Sequence, residues 1–498
     1  MARQLPIDPA HLFDGNIFWP ETNTLAFSDA MLLLGVAGTP LIHAGIHPAA
    51  VHNLLLVASF TFAGYASWRL VHRLTDSAPA ALVSGMVFAF APYRFAHIGH
   101  LELLWTAFMP AALLALYALL ARPTVRRGIW LGVLIGLQGL CSLYYMVFLV
   151  VWLVPVALLA RLHIAFRPTK QHVIAFVAGA ATTVVLLAPY VRPYLDARAR
   201  LGERSTEELQ RYSATLPDYL RASWGNRLYG TQWGESIEER SLFPGVVVLV
   251  FIAVSVVWVR SRLTIAFAIA GLVAIDLSLG VNGLLYPLAS KVVPMLTSFR
   301  APARFGVLAL LTFAVLSGIA VAHMTRGATH HRRRWTAALV MAALGVEYWS
   351  APVETRETPL APLRVHEWLR VQPHGAVIEL PVPRPEELWR NEPLYEYLSI
   401  YHWQPVVNGY SGFAPSSYLQ LLERMRDFPS DDVIRFLSER GVKVAIVHER
   451  FLSAEEFNTL LAACQDPRWF SDVIVFDIGG GAGRIAACRL HPSGQAGN

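Results

Sequence analysis

Ten apolar runs of about 16 to 24 residues recur along the first 350 positions, each close to the roughly 20 residues a helix needs to cross a bilayer. They cover 50–72, 78–95, 103–122, 128–144, 146–163, 171–190, 243–260, 263–280, 304–324 and 334–350. Several are short, and the stretch around Tyr144 and Tyr145 also reads as one re-entrant element. By length alone, 498 residues would divide into about three soluble domains. Only 15% of residues are charged against 55% hydrophobic, with mean hydropathy +0.43, whereas a soluble protein carries about 25% charge. The same composition excludes a disordered chain and a disulfide-stapled miniprotein. The 14 Trp, 17 Tyr and 25 Phe suit aromatic belts at two membrane interfaces.

Charge sorts the connectors. Five short ones hold Arg69 and Arg73; Arg122, Arg126 and Arg127; Arg161, Arg167 and Lys170; Arg260 and Arg262; and Arg326 with Arg332, Arg333 and Arg334. Asp76 is the single acid among them, so the positive-inside rule places these five in the cytoplasm. The net charge of +6 is thus a topology signal rather than a nucleic-acid surface. Residues 1–354 hold 27 Lys or Arg against 17 Asp or Glu, and residues 355–498 hold 14 against 18. That split predicts a membrane part joined to a slightly acidic soluble part. An even number of spans puts both chain ends outside. The first residues, MARQLPIDPAHLFDGN, contain no apolar core of a secretory signal. Either a spanning helix upstream of Met1 or insertion by neighbouring spans accounts for an outer N-terminus, and the former is preferred.

The expected organisation is a first outer loop with interfacial helices over 1–49, a membrane region over 50–350 with an outer loop at 191–242, and a soluble α/β domain over 355–498. The first loop holds Asp8, Asp14, Glu21 and Asp29. Asp29 lies just before the apolar MLLLGVAGTPLI, where an N-cap for the following helix is the bland reading. In PYRFAHIGHLELLW, Arg94, His97, His100 and Glu102 crowd the bilayer edge, where ionisable groups are costly and often functional. His97 and His100 have the spacing of a metal pair but no third ligand at a telling distance. Arg300 and Arg304, in SFRAPARFG, are four residues apart and would share a helix face at headgroup level, suited to gripping phosphate. Generic headgroup binding is the alternative. Within 191–242, a polar helix is followed by a binding-type loop from Trp224 to Trp233.

In the soluble part, AVIELPV and KVAIVH read as buried strands, and helices are predicted over 389–401, 416–427, 430–440 and 453–464. Gly479 to Gly483 precede a strand-like segment rather than a helix, which argues for a hairpin turn over a phosphate loop. Cys141 reads as packing; Cys464 and Cys488 read as a pair or as free thiols. There is no P-loop, HExxH, GxSxG or paired CxxC, which leaves ATP-driven transport and the common hydrolases unsupported.

These features together resemble a bacterial glycosyltransferase of the GT-C fold, within the superfamily of protein mannosyltransferases and the aminoarabinose transferase. The stretches that carry the resemblance are NIFWPETNTLAFSD, FAFAPYRFAHIGHLELL, SFRAPARFG, VIELPV and VNGYSGFAP, spread over nearly the whole chain. The resemblance implies an α-helical polytopic membrane protein with a C-terminal extracytoplasmic α/β domain, in the bacterial plasma membrane. It implies a polyprenyl-phosphate-linked sugar donor and a glycan, lipid or protein acceptor. An acid of the first outer loop would serve as base: Asp29 first, then Glu21 and Asp14. Arg94, His97, His100, Glu102, Arg300 and Arg304 would bind substrate. No metal ligand is assigned, and a divalent ion stays open as cofactor. The family's principal acid normally follows its first spanning helix, so the resemblance also implies that this helix and its acid precede the residues present here. A flippase of lipid-linked saccharides, expected to carry more charge inside its spans than Asp276 and Glu347, and a non-catalytic envelope assembly protein are the alternatives.

Overall fold

The computed structural model of the chain describes residues 1–202, 205–230, 237–351, 353, 355, 358–462, 468–470 and 473–478. Cys464, Cys488, the Gly479–Gly483 turn and the end of the Trp224–Trp233 loop lie outside the described residues.

A helix forms over each of the ten apolar runs. After α1 (Leu32–His43) come α2 (Pro48–Thr75), α3 (Ala78–Phe90), α4 (Phe108–Ala121), α5 (Val125–Cys141) and α6 (Leu143–Leu159). Then follow α7 (Lys170–Leu201), α8 (Val246–Val254), α9 (Arg262–Ser278), α10 (Gly306–Met324) and α11 (His330–Glu347). Among the described residues, five helical segments are long and apolar enough to cross a membrane: Pro48–Thr75, Leu101–Ala121, Leu143–Leu162, Lys170–Leu201 and Pro302–Met324. The others are shorter or begin in arginines. The chain is a multi-pass membrane protein. The basic connectors also carry the helix starts. Ser77, Thr124, Ser261 and Thr329 each accept a backbone N–H of the following helix, and Thr169 caps α7 through a capping box with His172. A hydroxyl at these positions satisfies donors that the helix itself leaves unpaired.

The apolar core is built around α10, whose spanning segment is almost wholly enclosed, while α7 lies at the periphery. α5 packs along α7 through small residues. A Cβ on Gly132 would run into the Gly179 carbonyl, and one on Gly128 into that of Ala175. Close backbone approach of this kind drives helix association where lipid gives no hydrophobic gain. The Tyr144–Tyr145 region is not one re-entrant element. The chain breaks at Ser142, whose extended backbone ends α5 and whose hydroxyl caps α6 by accepting the Tyr145 N–H.

The C-terminal α/β domain contains α12 (Arg364–Arg370), β1 (Ala376–Leu380), α13 (Glu392–Leu398), α14 (Ser416–Arg424), α15 (Asp431–Glu439), β2 (Val442–His448), α16 (Ala454–Ala462), β3 (Arg468–Phe470) and β4 (Val473–Asp477). The sheet order is β1-β2-β4-β3, with β1 parallel to β2 and the other pairs antiparallel. One face packs Val365 and Leu369 against Val377 and Ile446. The other face shares its core with the first loop, where Phe13, Phe18 and Phe27 pack with Ile378, Tyr418 and Leu421. The backbone joins the two as well. Phe18 N–H donates to Asn408 O, Trp19 N–H to Val406 O and Val406 N–H to Asn16 O. Gly409 is required there, because a Cβ would enter the Phe18 ring. The first loop is therefore pinned to the C-terminal domain, and that anchorage fixes where its acids point.

Candidate functional site

Five segments distant in sequence meet at the helix ends opposite the basic connectors. They are the end of the first loop, residues 91–106, the start of α6, the turn Glu238–Arg240 and residues 299–305. Asp29 belongs to the first. It does not cap the helix that follows it, since α1 starts without a side-chain cap. Its carboxylate instead crosses to α6, where Oδ2 accepts the Ser142 hydroxyl at 2.5 Å and Oδ1 accepts the Leu143 N–H at 3.0 Å. The α6 N-terminus thus faces a negative charge, which its dipole favours. Burial nevertheless pushes Asp29 up to about 6, against the Ser142 bond; Glu102 adds to the rise, while the Leu143 amide and Arg304 oppose it. Asp29 keeps partial solvent access. The next residue is held too, with Ala30 N–H donating to Tyr194 Oη of α7 at 3.0 Å.

Behind Asp29 lies a buried ion cluster. The Arg304 guanidinium grips Glu239 in a fork, Nε to Oε2 at 2.8 Å and Nη2 to Oε1 at 2.5 Å. His97 Nε2 meets the same carboxylate at 3.1 Å, and its Nδ1 lies 2.9 Å from Tyr93 O. Burial pushes Glu239 up, but Arg304 and His97 hold it well below the usual carboxylate range. Arg300 Nη2 stands 3.7 Å from Glu239 Oε1 with its side chain 31% exposed, and its guanidinium lies over the Tyr212 ring. The Arg304 guanidinium lies over Tyr144, whose hydroxyl accepts the Ala301 N–H. Arg300 and Arg304 therefore do not share an α-helical face as expected. Pro302–Phe305 is a 3-10 turn, and both residues reach the site by converging on Glu239. On the open side, His100 Nδ1 pairs with Glu102 Oε1 at 3.3 Å, and His100 is 40% exposed. His97 and His100 thus each engage a different carboxylate.

The remaining expected residues lie apart from this centre. Arg94 is buried, donating to Thr106 Oγ1 at 2.7 Å and Leu104 O at 2.9 Å and lying over Phe60. It braces the segment that carries His97, His100 and Glu102. Glu21 accepts the Ser417 hydroxyl at 2.7 Å and pairs with Arg200 at 3.3 Å, so it ties the first loop to α14 and α7. Asp14 accepts the Asn23 N–H at 2.6 Å and closes a turn within the loop. Asp276 and Glu347, the internal acids, both cap helices. Asp276 accepts from Leu284 and Leu285 N–H, and Glu347 from Val246 and Val247 N–H and the Tyr229 hydroxyl. Sequence reading missed Glu239 and Ser142. Glu239 sits in SIEERS among many exposed acids, and nothing local marks it as the partner of Arg304.

A family model described as Domain of unknown function (DUF6311) matches residues 7–350. No curated protein matches the chain. Among solved structures, the chain is similar to the arabinofuranosyltransferase AftD from Mycobacteria, at 13% identity and a TM-score of 0.55, over 90% of this chain and 34% of that one. It is also similar to the archaeal oligosaccharyltransferase AglB from Archaeoglobus fulgidus, at 13% identity and 0.45, over 89% of this chain and 64% of that one. ArnT from Cupriavidus metallidurans gives 12% identity and 0.44, over 91% of this chain and 88% of that one. The chain spans about a third of the length of AftD. At this identity the likeness to AftD shows the fold alone, the GT-C fold.

Proposed function

The chain belongs to the family described as Domain of unknown function (DUF6311), and from that premise, together with the geometry above, we propose that it transfers a sugar from a polyprenyl-phosphate donor to a hydroxyl of an extracytoplasmic glycan, lipid or protein. The observation that carries this reading is the Asp29 carboxylate, held on the α6 N-terminus within electrostatic reach of Glu102 and Arg304, while the partly exposed Arg300 converges on Glu239, the same carboxylate that Arg304 grips. A lipid-linked sugar presents its phosphate at headgroup depth and its anomeric carbon just above, so cation and base must sit side by side at the membrane surface.

In this scheme Asp29 takes the proton of the acceptor hydroxyl as that oxygen attacks the anomeric carbon. The bond from that carbon to the phosphate oxygen breaks, and the polyprenyl phosphate leaves with the electron pair. Arg300 faces the growing phosphate charge. Arg304 is committed to Glu239, so its part is to hold the Arg300 turn and to temper Asp29 electrostatically. His100 and Glu102 line the sugar or acceptor side. Alternation of the helices from the arginine-rich connectors supports a site, and a C-terminal domain pinned to the first loop, on the outer side of a bacterial inner membrane. A flippase is expected to carry more charge inside its spans than Asp276 and Glu347, and these two serve as helix caps, so no observation favours that reading. Transfer of radiolabelled sugar from a set of polyprenyl-phosphate sugars by the purified chain in lipid tests the proposal. Binding of these donors without turnover on any acceptor extract would return the chain to the non-catalytic reading.

A further inference from the structure

A second polar cluster lies wholly inside the C-terminal domain, outside the Asp29 site. His366 stands on α12, Glu379 on β1, His402 just after the turn Ser399–Tyr401, and His448 at the end of β2. His366, Glu379 and His448 are fully enclosed and His402 is 5% exposed. His448 Nε2 and Glu379 Oε2 are 2.6 Å apart. Among the described residues, the other oxygen, Oε1, has no hydrogen-bond partner, nor does either ring nitrogen of His366 or Nε2 of His402. His366 Nε2 stands 3.7 Å from Oε1, beyond hydrogen-bond reach. The His366 and His402 rings stack with centroids 5.6 Å apart and planes 9° from parallel. One donor atom from each of His366, Glu379 and His402 falls within 4.8 Å of the other two.

Buried polar atoms are almost always satisfied, and several orphans facing one point call for an explanation. A proton between His366 and Glu379 would leave His402 Nε2 alone. We propose that His366, Glu379 and His402 together hold one divalent first-row metal ion, zinc by the chemistry of two imidazoles and one carboxylate. Such ligands bind Zn2+ at about 2.0–2.2 Å, which sets ligand atoms roughly 3.3–3.6 Å apart. The His366–Glu379 separation is already near that, and His402 closes by turning its side chain. His402 Nδ1 lies 3.0 Å from the Gln404 amide nitrogen. Ligation through Nε2 puts the ring proton on Nδ1, so this contact opens as the ion binds.

The surroundings supply what an ion site needs. His448 holds the second carboxylate oxygen, as outer partners of metal ligands do. Asn408 fixes the Glu379 backbone, accepting its N–H at 2.7 Å and donating to its carbonyl at 2.9 Å. The ion would tie α12 and the segment after Ser399–Tyr401 to β1. That segment continues to Val406 and Asn408, which pair with the first loop, so the ion braces the framework from which Asp29 extends.

The test is metal content, independent of any transferase activity. The untagged full chain in detergent is loaded with Zn2+, dialysed against metal-free buffer and analysed by mass spectrometry for metal per protein. The expected result is about one tightly held ion per chain, with retention lowered at least tenfold in both His366→Ala and Glu379→Gln. Since a core substitution can unfold the domain, the unaltered chain is also titrated with Co2+, whose visible absorption reports nitrogen and oxygen ligation directly. Coordinated Co2+ bands that saturate at one equivalent and are displaced by Zn2+ support the site. A folded wild-type chain that retains no ion and leaves the Co2+ spectrum unchanged overturns it. So does equal retention by the wild type and by folded variants.

Discussion

Asp29 Oδ2 receives the Ser142 hydroxyl at 2.5 Å, a bond that spans 113 residues and seats a first-loop carboxylate on the N-terminus of α6. Two opposing effects meet in that carboxylate. The helix dipole and two hydrogen bonds favour its charge, and burial beside Glu102 disfavours it. The balance sets Asp29 at about 6, within the range where a general base is effective near neutral pH.

The first prediction is a pH profile. A base acts only when deprotonated, so kcat/KM should rise with pH through about 6 and fall on the acid side, where Asp29 carries its proton. An ordinary carboxylate would show its limb near 4. Steady-state transfer rates across pH check this, and a profile whose acid limb stays at the ordinary value would detach Asp29 from proton transfer.

The two arginines should separate. Arg300, partly exposed, is expected to contribute to donor phosphate binding, so Arg300→Ala should weaken affinity by about tenfold or more, as loss of a charged hydrogen bond worth about 1.5–3 kcal/mol would do. Its melting temperature should hardly move. Arg304→Ala should instead strand a buried Glu239 and cost about 3–5 kcal/mol of stability, read by thermal unfolding. If Arg300→Ala binds the donor as well as the wild type, Arg300 returns to the role of headgroup anchor.

Topology makes a third prediction. A reporter active only in the cytoplasm, fused after Asn498, should be silent, and one inserted in the Arg326–Arg334 connector should be active. The reverse pattern would invert the assignment of every loop and remove the site from the outer face.

Helix packing gives a fourth. Gly132→Leu forces a side chain into the Gly179 backbone, where overpacking costs typically about 1–3 kcal/mol or more. The α5 C-terminus leads directly into Ser142, so loss of activity should accompany the lowered melting temperature. A variant as stable as the wild type would show that the α5–α7 contact is slack.

Where the sequence was legible, the signal was local. Apolar run length located the ten helices, and short continuous apolar runs located β1 and β2. Strand AVIELPV and the helices at 416–427 and 430–440 fall close to where their periodicity put them. Asp29 stood out by its place just ahead of an apolar run, and Arg300 and Arg304 as an arginine pair at headgroup level suited to phosphate. What stayed hidden depends on long-range pairing. Nothing near Glu239 says that it faces Arg304 and His97, and nothing near Ser142 says that it faces Asp29. Arg94 has the same local credentials as Arg300, yet its guanidinium turns inward to Thr106 and Leu104. His366, Glu379, His402 and His448 carry no motif spacing at all, because a parallel strand pair and two turns bring them together.

The central claim rests most directly on Asp29→Asn, assayed for transfer of radiolabelled sugar from polyprenyl phosphate alongside its melting temperature. Asn keeps an oxygen for the Leu143 amide, and its NH2 can donate to the Ser142 hydroxyl, which turns to accept, so the fold and the α6 start should survive. The account predicts a fall of roughly 10²–10⁴-fold in transfer, the typical contribution of a general base, at unchanged stability. Full transfer by a folded Asp29→Asn chain would contradict it.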